Sequence, residues 1–233
     1  MEPTEENRRA WNELHRLRVT ASAEHPAIPA PVRDVLPDLA GKHVLHLLCG
    51  TGEASAELAA LGALVTGVDV WPEALAAARE RFAGVVFVHA DPHELPVHLR
   101  RPRTDLVYVG MGALAYLHDL AAVAAGAAAA LRPGGALLVW DTHPALLCLD
   151  LPSLRWREDY FGGVLHVDGP LRERTVRLWR LGEIVEAALG AGLLLRRLEE
   201  LPAPPGSPRH DRRVPSELVL VAEKPRPEAP PRS

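Results

Sequence analysis

His43–Val70 reads HVLHLLCGTGEASAELAALGALVTGVDV. Its first six residues, His43–Leu48, form a short apolar run suited to a buried parallel strand. Cys49-Gly50-Thr51-Gly52 is a glycine-rich turn. Glu53–Leu61 has Ala54, Leu58 and Leu61 on one helical face, with Gly62 placed as a C-terminal cap. A second strand, Leu64–Val68, runs into Asp69. Strand, glycine loop, helix, strand and acid is the plan of a nucleotide-binding βαβ unit. Gly50 and Gly52 allow close approach of backbone to ligand, the helix N-terminus offers free N–H groups, and Asp69 is positioned to accept ribose hydroxyls.

The glycine spacing is a weak signal of which nucleotide binds, because Ser55 stands where a dinucleotide fingerprint has its third glycine. HLLCGTG followed by GVDV resembles motifs I and II of the class I S-adenosylmethionine-dependent methyltransferases. That family carries (D/E)-x-G-x-G-x-G, which falls here on His46, Leu48, Gly50 and Gly52. The family's acid is therefore His46, and its first glycine is Leu48. The resemblance continues in order. VVFVH at 85–89 leads to Asp91-Pro92, where the family's acid meets adenine; Asp91 also reads as an Asx turn or helix cap. DLVYVG, Asp105–Gly110, stands at motif IV, and LRPGGALLVWD, Leu131–Asp141, resembles the family's L-(K/R)-P-G-G turn and fifth strand.

The expected architecture is α/β, a doubly wound Rossmann-like sheet of seven strands. Right-handed crossovers order strands one to five. The resemblance implies the full order 3-2-1-4-5-7-6, with strand seven, Glu217–Ala222, antiparallel. Residues 1–39 are expected to form an N-terminal helical cap, 40–224 the methyltransferase-like domain with 144–175 as an inserted lid or substrate segment, and 225–233 a Pro-rich tail. Within the insertion, 164–167 and 173–178 could pair as a hairpin. Arg180–Ala191 reads as a helix and Leu193–Leu198 as strand six.

Composition narrows the function. The chain has 233 residues, is 48% hydrophobic and carries a formal charge of −4. Both signs are scattered, which argues against a nucleic-acid partner held by its phosphates. Two cysteines, Cys49 and Cys148, make no metal or disulfide framework. No signal peptide or long apolar run is present, so the expectation is a cytoplasmic protein with no membrane partner, as a monomer or homodimer. Gln is absent and Asn occurs only at Asn7 and Asn12, a bias compatible with a thermophile. The motif IV position has Gly110-Met111-Gly112-Ala113 and lacks the (N/D/S)-P-P-(Y/F/W) box of base- and amide-directed methyltransferases, so a small-molecule acceptor is favoured.

The resemblance implies S-adenosylmethionine as cofactor, with S-adenosylhomocysteine as product. Its candidate binding residues are His46, Leu48, Cys49, Gly50, Thr51, Gly52, Asp69, Val70, Asp91, Pro92 and Gly110. His46 also reads as a buried, hydrogen-bonded structural histidine. Catalytic candidates are His143, at the end of strand five, and His15, on a polar helix with Trp11; Tyr116, His118, Tyr160 and His166 are further polar side chains in range. No metal site is expected. Two other readings stay open: a nicotinamide-dependent oxidoreductase on the same sheet, and a protein that binds the cofactor without catalysing transfer.

Overall fold

A computed structural model describes residues 27–110, 112–151, 153–167, 174–203 and 211–227. The expected helix at 5–18, with Trp11 and His15, lies outside the described residues, as does Met111.

The chain runs α1 (Ala30–Arg33), β1 (His43–Leu47), α2 (Glu53–Ala60), β2 (Leu64–Asp69), α3 (Pro72–Arg81), β3 (Val86–His89), β4 (Thr104–Val109), α4 (Leu120–Ala130) and β5 (Leu131–Thr142). It continues through α5 (Pro144–Leu147), β6 (Leu149–Asp150), β7 (Arg155–Trp156), β8 (Val164–Val167), β9 (Arg174–Arg177), α6 (Leu181–Gly190), β10 (Leu194–Leu201) and β11 (Glu217–Glu223). Seven strands form one sheet in the order β3-β2-β1-β4-β5-β11-β10. Strands β1 to β5 pair in parallel, while β11 is antiparallel to both β5 and β10. Setting aside the four short strands of the insertion, this is 3-2-1-4-5-7-6 with the seventh strand reversed, as expected.

The strand composition explains the two-sided burial. Leu45, Leu47, Val107, Val109 and Val139 turn to one face, where α4 and α6 cover them. Val44, Leu106, Tyr108, Leu138 and Trp140 turn to the other, beneath Val32 of α1 and Leu58 of α2. A leucine sealed as Leu47 or Leu58 is sealed contributes about 1.5–3 kcal/mol. Two helices end in the same left-handed device. Gly62 (φ 91°) follows α2 and Gly192 (φ 79°) follows α6. Ala63 N–H reaches back to the Leu58 carbonyl, and Leu193 N–H to that of Ala188.

The start of β5 differs from the sequence reading. Arg132–Gly135 was expected as a turn ahead of strand five, but β5 already pairs at Leu131, opposite Thr104. The next pair is Leu106 with Ala136, so the RPGG segment bulges out of a ladder that continues on both sides. A Cβ at Gly135 would sit 2.9 Å from the Thr104 carbonyl oxygen, which makes glycine necessary there. The bulge is tied down by Arg132 Nε, which donates to Asp105 Oδ1 at 2.6 Å. Lys224 Nζ donates to the carbonyls of Ala128 and Leu131, both at 2.7 Å, and so caps the C-terminal end of α4.

The insertion holds two small antiparallel pairs, β6 with β7 and β8 with β9. The second is the hairpin anticipated from the sequence. Among the described residues, no helix is long and apolar enough to cross a membrane.

Candidate functional site

From β1 the chain steps to β2 and β3 on one side of the sheet, while β4 and β5 lie on the other. The carboxyl ends of β1 and β4 therefore flank the switch point at which open α/β sheets bind ligands. The loop after β1 occupies that crevice. It is built from left-handed residues: Leu48 (φ 52°), Gly50 (φ 55°) and Gly52 (φ 87°). Leu48, where the resemblance places a glycine, keeps a glycine-like backbone despite its side chain. That conformation costs an L-residue about 1–2 kcal/mol, and the side chain packs against the core beneath α4. Gly52 is required from below as well. A Cβ there would lie 2.8 Å from Cζ of Phe87 and 3.2 Å from Cβ of Ala78.

Asp69 fixes the loop. It is wholly buried at the end of β2. Its Oδ2 accepts the Gly50 N–H at 2.7 Å, and Oδ1 accepts the Trp71 N–H at 3.0 Å. Burial pushes its carboxyl up to about 6, against the opposing pull of the Gly50, Trp71 and Val70 amides. Cys49 is buried behind the loop, and burial and the neighbouring Asp69 carry its thiol well above the usual range, so it is a packed thiol rather than a nucleophile. Thr51 Oγ1 donates to Glu53 Oε2 at 2.6 Å, and Arg81 also bonds Glu53. Burial alone would raise the Glu53 carboxyl; these two bonds outweigh it and hold it low.

His46 is 3% exposed, with Nδ1 2.7 Å from Ser55 Oγ of α2 and its ring 5.0 Å from that of Tyr108. Burial lowers its pKa to about 3, so the ring is neutral at physiological pH. The position that carries an acid in the resembling family here carries an uncharged heterocycle braced on the glycine-loop helix. Tyr108 is buried beside it, and its hydroxyl has no hydrogen-bond partner among the described residues.

The β3 side of the crevice carries Asp91. Its carboxylate caps the 3₁₀ turn Pro92–Glu94 by accepting the His93 N–H at 2.8 Å and lies 2.6 Å from His93 Nδ1. The other ring nitrogen of His93 accepts the amides of His118 (3.2 Å) and Asp119 (3.4 Å), the entry to α4. Its ring stacks on His118 with centroids 3.8 Å apart. Sequence reasoning missed His93; its signal was a histidine two places after the acid, within reach of both partners. Val70 and Trp71 after β2 pack with Ala74 and Tyr116, giving an apolar wall between Asp69 and the loop after β4. Gly110, at the end of β4, leaves room for the Tyr108 ring, which a Cβ would approach to 3.3 Å.

The β5 side repeats the logic of β2. Asp141, also missed, ends β5 and is 4% exposed. Its Oδ1 accepts the amides of Gly112 (2.8 Å) and Thr142 (2.6 Å), and Oδ2 accepts that of Leu114 (2.8 Å). Burial pushes it up to about 6 as well, the amides opposing. The readable signal was an acid closing an apolar strand, VWD beside GVD. Asp141 holds the loop after β4, and that loop meets the insertion: Ala115 and Tyr116 pack with Cys148, Leu165, Leu178 and Tyr160. Trp179 Nε1 donates to the Leu117 carbonyl at 2.9 Å, and Tyr160 hydroxyl accepts the Leu181 N–H at 3.2 Å.

His143 sits directly after this clasp, and the structure shows it as a helix cap. Its Nδ1 accepts the Ala145 N–H at 3.1 Å, capping α5. Its Nε2 lies 2.8 Å from Glu200 Oε1 on β10. Nδ1 is thus engaged with the backbone, while Nε2 faces Glu200 without making a hydrogen bond among the described residues. Trp156 is 62% exposed at the insertion's surface, edge-on to Tyr160.

Comparison with known proteins agrees with this geometry. Residues 44–135 match the family model of a methyltransferase domain. A ubiquinone biosynthesis O-methyltransferase from Aromatoleum aromaticum is 39% identical over 101 residues, 42% of this chain and 42% of that protein. A demethylmenaquinone methyltransferase from Clavibacter sepedonicus is 47% identical over 70 residues, 29% of this chain and 28% of that protein. The chain spans less than half the length of these curated relatives. Among solved structures, an S-adenosylmethionine-dependent methyltransferase from Mesorhizobium loti superposes with a TM-score of 0.67 at 24% identity, covering 82% of this chain and 94% of that one. A TehB-like methyltransferase from Corynebacterium glutamicum does so with a TM-score of 0.63 at 19% identity, covering 92% and 97%. These last two likenesses are of fold.

Proposed function

We propose that this chain, whose residues 44–135 match a methyltransferase-domain model and whose sheet superposes on that of S-adenosylmethionine-dependent methyltransferases, transfers the S-adenosylmethionine methyl group to a small-molecule acceptor. The observation that carries the reading is the left-handed loop Leu48–Gly52 pinned by Asp69 at the switch point of the sheet. Asp69 accepts the amides of Gly50 and Trp71 and is also drawn on by that of Val70, and each carboxylate oxygen has two acceptor directions. That leaves Asp69 able to take the ribose hydroxyls, with Val70 and Trp71 against the adenine and Asp91 and Pro92 at its rim. Gly50, Thr51, Gly52 and Gly110 form the backbone floor. His46 and Leu48 stand nearest the amino-acid end. With His46 neutral, loop carbonyls rather than an ion pair would hold the ammonium of that end.

The bound cofactor supplies an electrophilic methyl on a sulfonium, so the protein's work is alignment and exclusion of water. Tyr116 is central to both. It touches the adenine-side wall at Trp71 and the insertion at Tyr160, and Asp141 fixes the loop that carries it. Acceptor positioning by Tyr116, Tyr160 and the insertion, without a dedicated base, is the mechanism this arrangement favours. A small-molecule acceptor is supported by the quinone-pathway names of the two relatives and by the missing Pro-Pro box. The reversed β11 and the methyltransferase-domain match displace the nicotinamide reading.

Calorimetry tests the assignment. S-adenosylhomocysteine should bind, and bind more tightly than NAD. Tighter NAD binding would reject it. Binding without methyl transfer to any of a panel of phenols, catechols and amines would leave the non-catalytic reading in its place.

A further inference from the structure

Among the described residues, β10 is the outer strand of the sheet, with β11 on one side only. A strand in that position has a row of unpaired N–H and C=O groups, a template for another strand. Its exposed side chains include Leu194 (44%), Leu195 (36%) and Leu198 (37%), and Leu189 at the end of the adjoining α6 is 47% exposed. Edges usually protect themselves with charges and bulges, and β10 has both: Arg196, Arg197, Glu199, Glu200 and a bulge between Leu195 and Arg197. The order of the charges is what distinguishes this edge. Leu195–Leu201 reads L-R-R-L-E-E-L. Laid antiparallel against itself about Leu198, on the regular side of that bulge, it sets Leu198 against Leu198 and Arg197 against Glu199. Each of these pairs is apolar on apolar or opposite in charge, and such pairs stabilise a sheet while like charges opposite one another destabilise it.

We propose that the open edge of β10 pairs antiparallel with the same edge of a second copy of this chain, giving a twofold dimer with a sheet continuous across the axis. The contact is isologous, so each pair named above occurs twice, except Leu198, which meets itself on the axis. In the single chain the same charges have local partners. Arg196 Nε lies 3.0 Å from Glu223, Arg197 lies 2.5 Å from Glu199, and Glu200 faces His143. Pairing widens these contacts into networks across the axis, where exposed isolated pairs contribute little. Glu200 links the edge to His143 and hence to the end of β5, so the dimer axis adjoins the acceptor side of the site.

Sedimentation velocity across a protein dilution series tests the proposal. The wild type should run as a dimer that dissociates on dilution. Leu198→Lys, which sets two ammonium groups together on the axis, should give monomer. Arg197→Glu should also give monomer, since it faces Glu199 of the partner with a like charge, and the double swap Arg197→Glu with Glu199→Arg should restore the dimer. Mild oxidation of Leu198→Cys should yield a reducible covalent dimer, because opposed residues of an antiparallel pair lie within disulfide range; the native thiols are buried. This last arm does not depend on the lysine variant folding. A monomeric wild type at every concentration, a dimer that survives Leu198→Lys, or failure of Leu198→Cys to cross-link would each overturn the proposal.

Discussion

Asp69→Asn separates what the buried acid does for the fold from what it does for the ligand. Asp69 titrates at about 6 because burial disfavours its charge more than the three amides favour it. At about 1.4 kcal/mol per unit, holding it ionised near pH 8 costs the folded state about 3 kcal/mol relative to an ordinary carboxyl. Asparagine keeps the shape and removes that cost. Its amide nitrogen, however, must face the N–H of either Gly50 or Trp71, and one buried donor left unpaired costs about 1–3 kcal/mol. The two effects nearly cancel, so the melting temperature near pH 8 should move by no more than about 4 °C, the equivalent of roughly 1 kcal/mol in a domain of this size. Ligand binding has no such cancellation. Ribose hydroxyls lose charge-assisted bonds, and affinity for S-adenosylhomocysteine should fall roughly 10- to 150-fold, about 1.5–3 kcal/mol. A raised folded-state pKa means a stabilising contribution present below pH 3.8 and lost as pH rises through about 6. The wild type should therefore gain stability relative to Asp69→Asn as pH falls from 6 towards 4. Scanning fluorimetry and calorimetry on the two proteins supply both numbers. A large melting loss with unchanged affinity would show that Asp69 is a loop clasp and nothing more.

Other substitutions probe the neighbouring elements. Gly52→Ala and Gly112→Ala share a left-handed backbone (φ 87° and 83°), but among the described residues only the first meets neighbours, none lying within 4 Å of a Cβ at Gly112. Urea unfolding should find Gly52→Ala less stable than Gly112→Ala by about 1–3 kcal/mol, the cost of overpacking against Phe87; equal losses would dismiss that contact. His46 titrates at about 3 when folded and near 6.5 unfolded, so its contribution is complete above pH 6.5 and is lost as pH falls. Stability of wild type relative to His46→Gln should therefore drop by about 1.4 kcal/mol per unit between pH 6 and 4, and parallel curves would mean that the ring is charged in the fold. His143→Ala should cost about 0.5–2 kcal/mol as a lost helix cap and change kcat by less than threefold once an acceptor is in hand. A hundredfold fall would show it acting as a base. Asp141→Asn, which leaves one of the Gly112, Thr142 and Leu114 amides badly partnered, should raise the acceptor KM while leaving S-adenosylhomocysteine affinity within about twofold; a matching loss of cofactor affinity would mean that the two loops are one unit.

The sheet was legible because its strands are apolar runs punctuated by glycine, proline and acid. HVLHL, LVTGVD and DLVYV each show that pattern, and each became a strand within a residue or so of its expected ends. The reversed β11 came from family resemblance; periodicity alone gives no strand direction. β5 was read short because a bulge hides pairing that resumes behind it. Strand β10 was expected to stop at Leu198 and runs on to Leu201 through two glutamates, residues with weak strand preference held there by the β11 ladder. Asp141 and His93 escaped notice for a common reason. Both bind backbone amides of segments far along the chain, and such contacts leave no periodic trace. For His143 the clue was present, since Pro144 directly after it is the mark of a helix start, and the residue before a helix's first turn is a cap.

The two carboxylate clasps have a consequence for how this scaffold tolerates change. Asp69 binds Gly50 and Trp71; Asp141 binds Gly112, Thr142 and Leu114; they share no amide, and they stand on strands separated by β1 and β4. Each loop is thus moulded by its own anchor before any ligand arrives. Sequence drift in the segment that Asp141 holds leaves in place the hydrogen bonds that mould the Asp69 loop. A protein engineer can vary the exposed insertion residues Arg155, Trp156, Arg157 and Phe161 while keeping Tyr116 and His118, which reach the Asp69 and Asp91 side through Trp71 and His93.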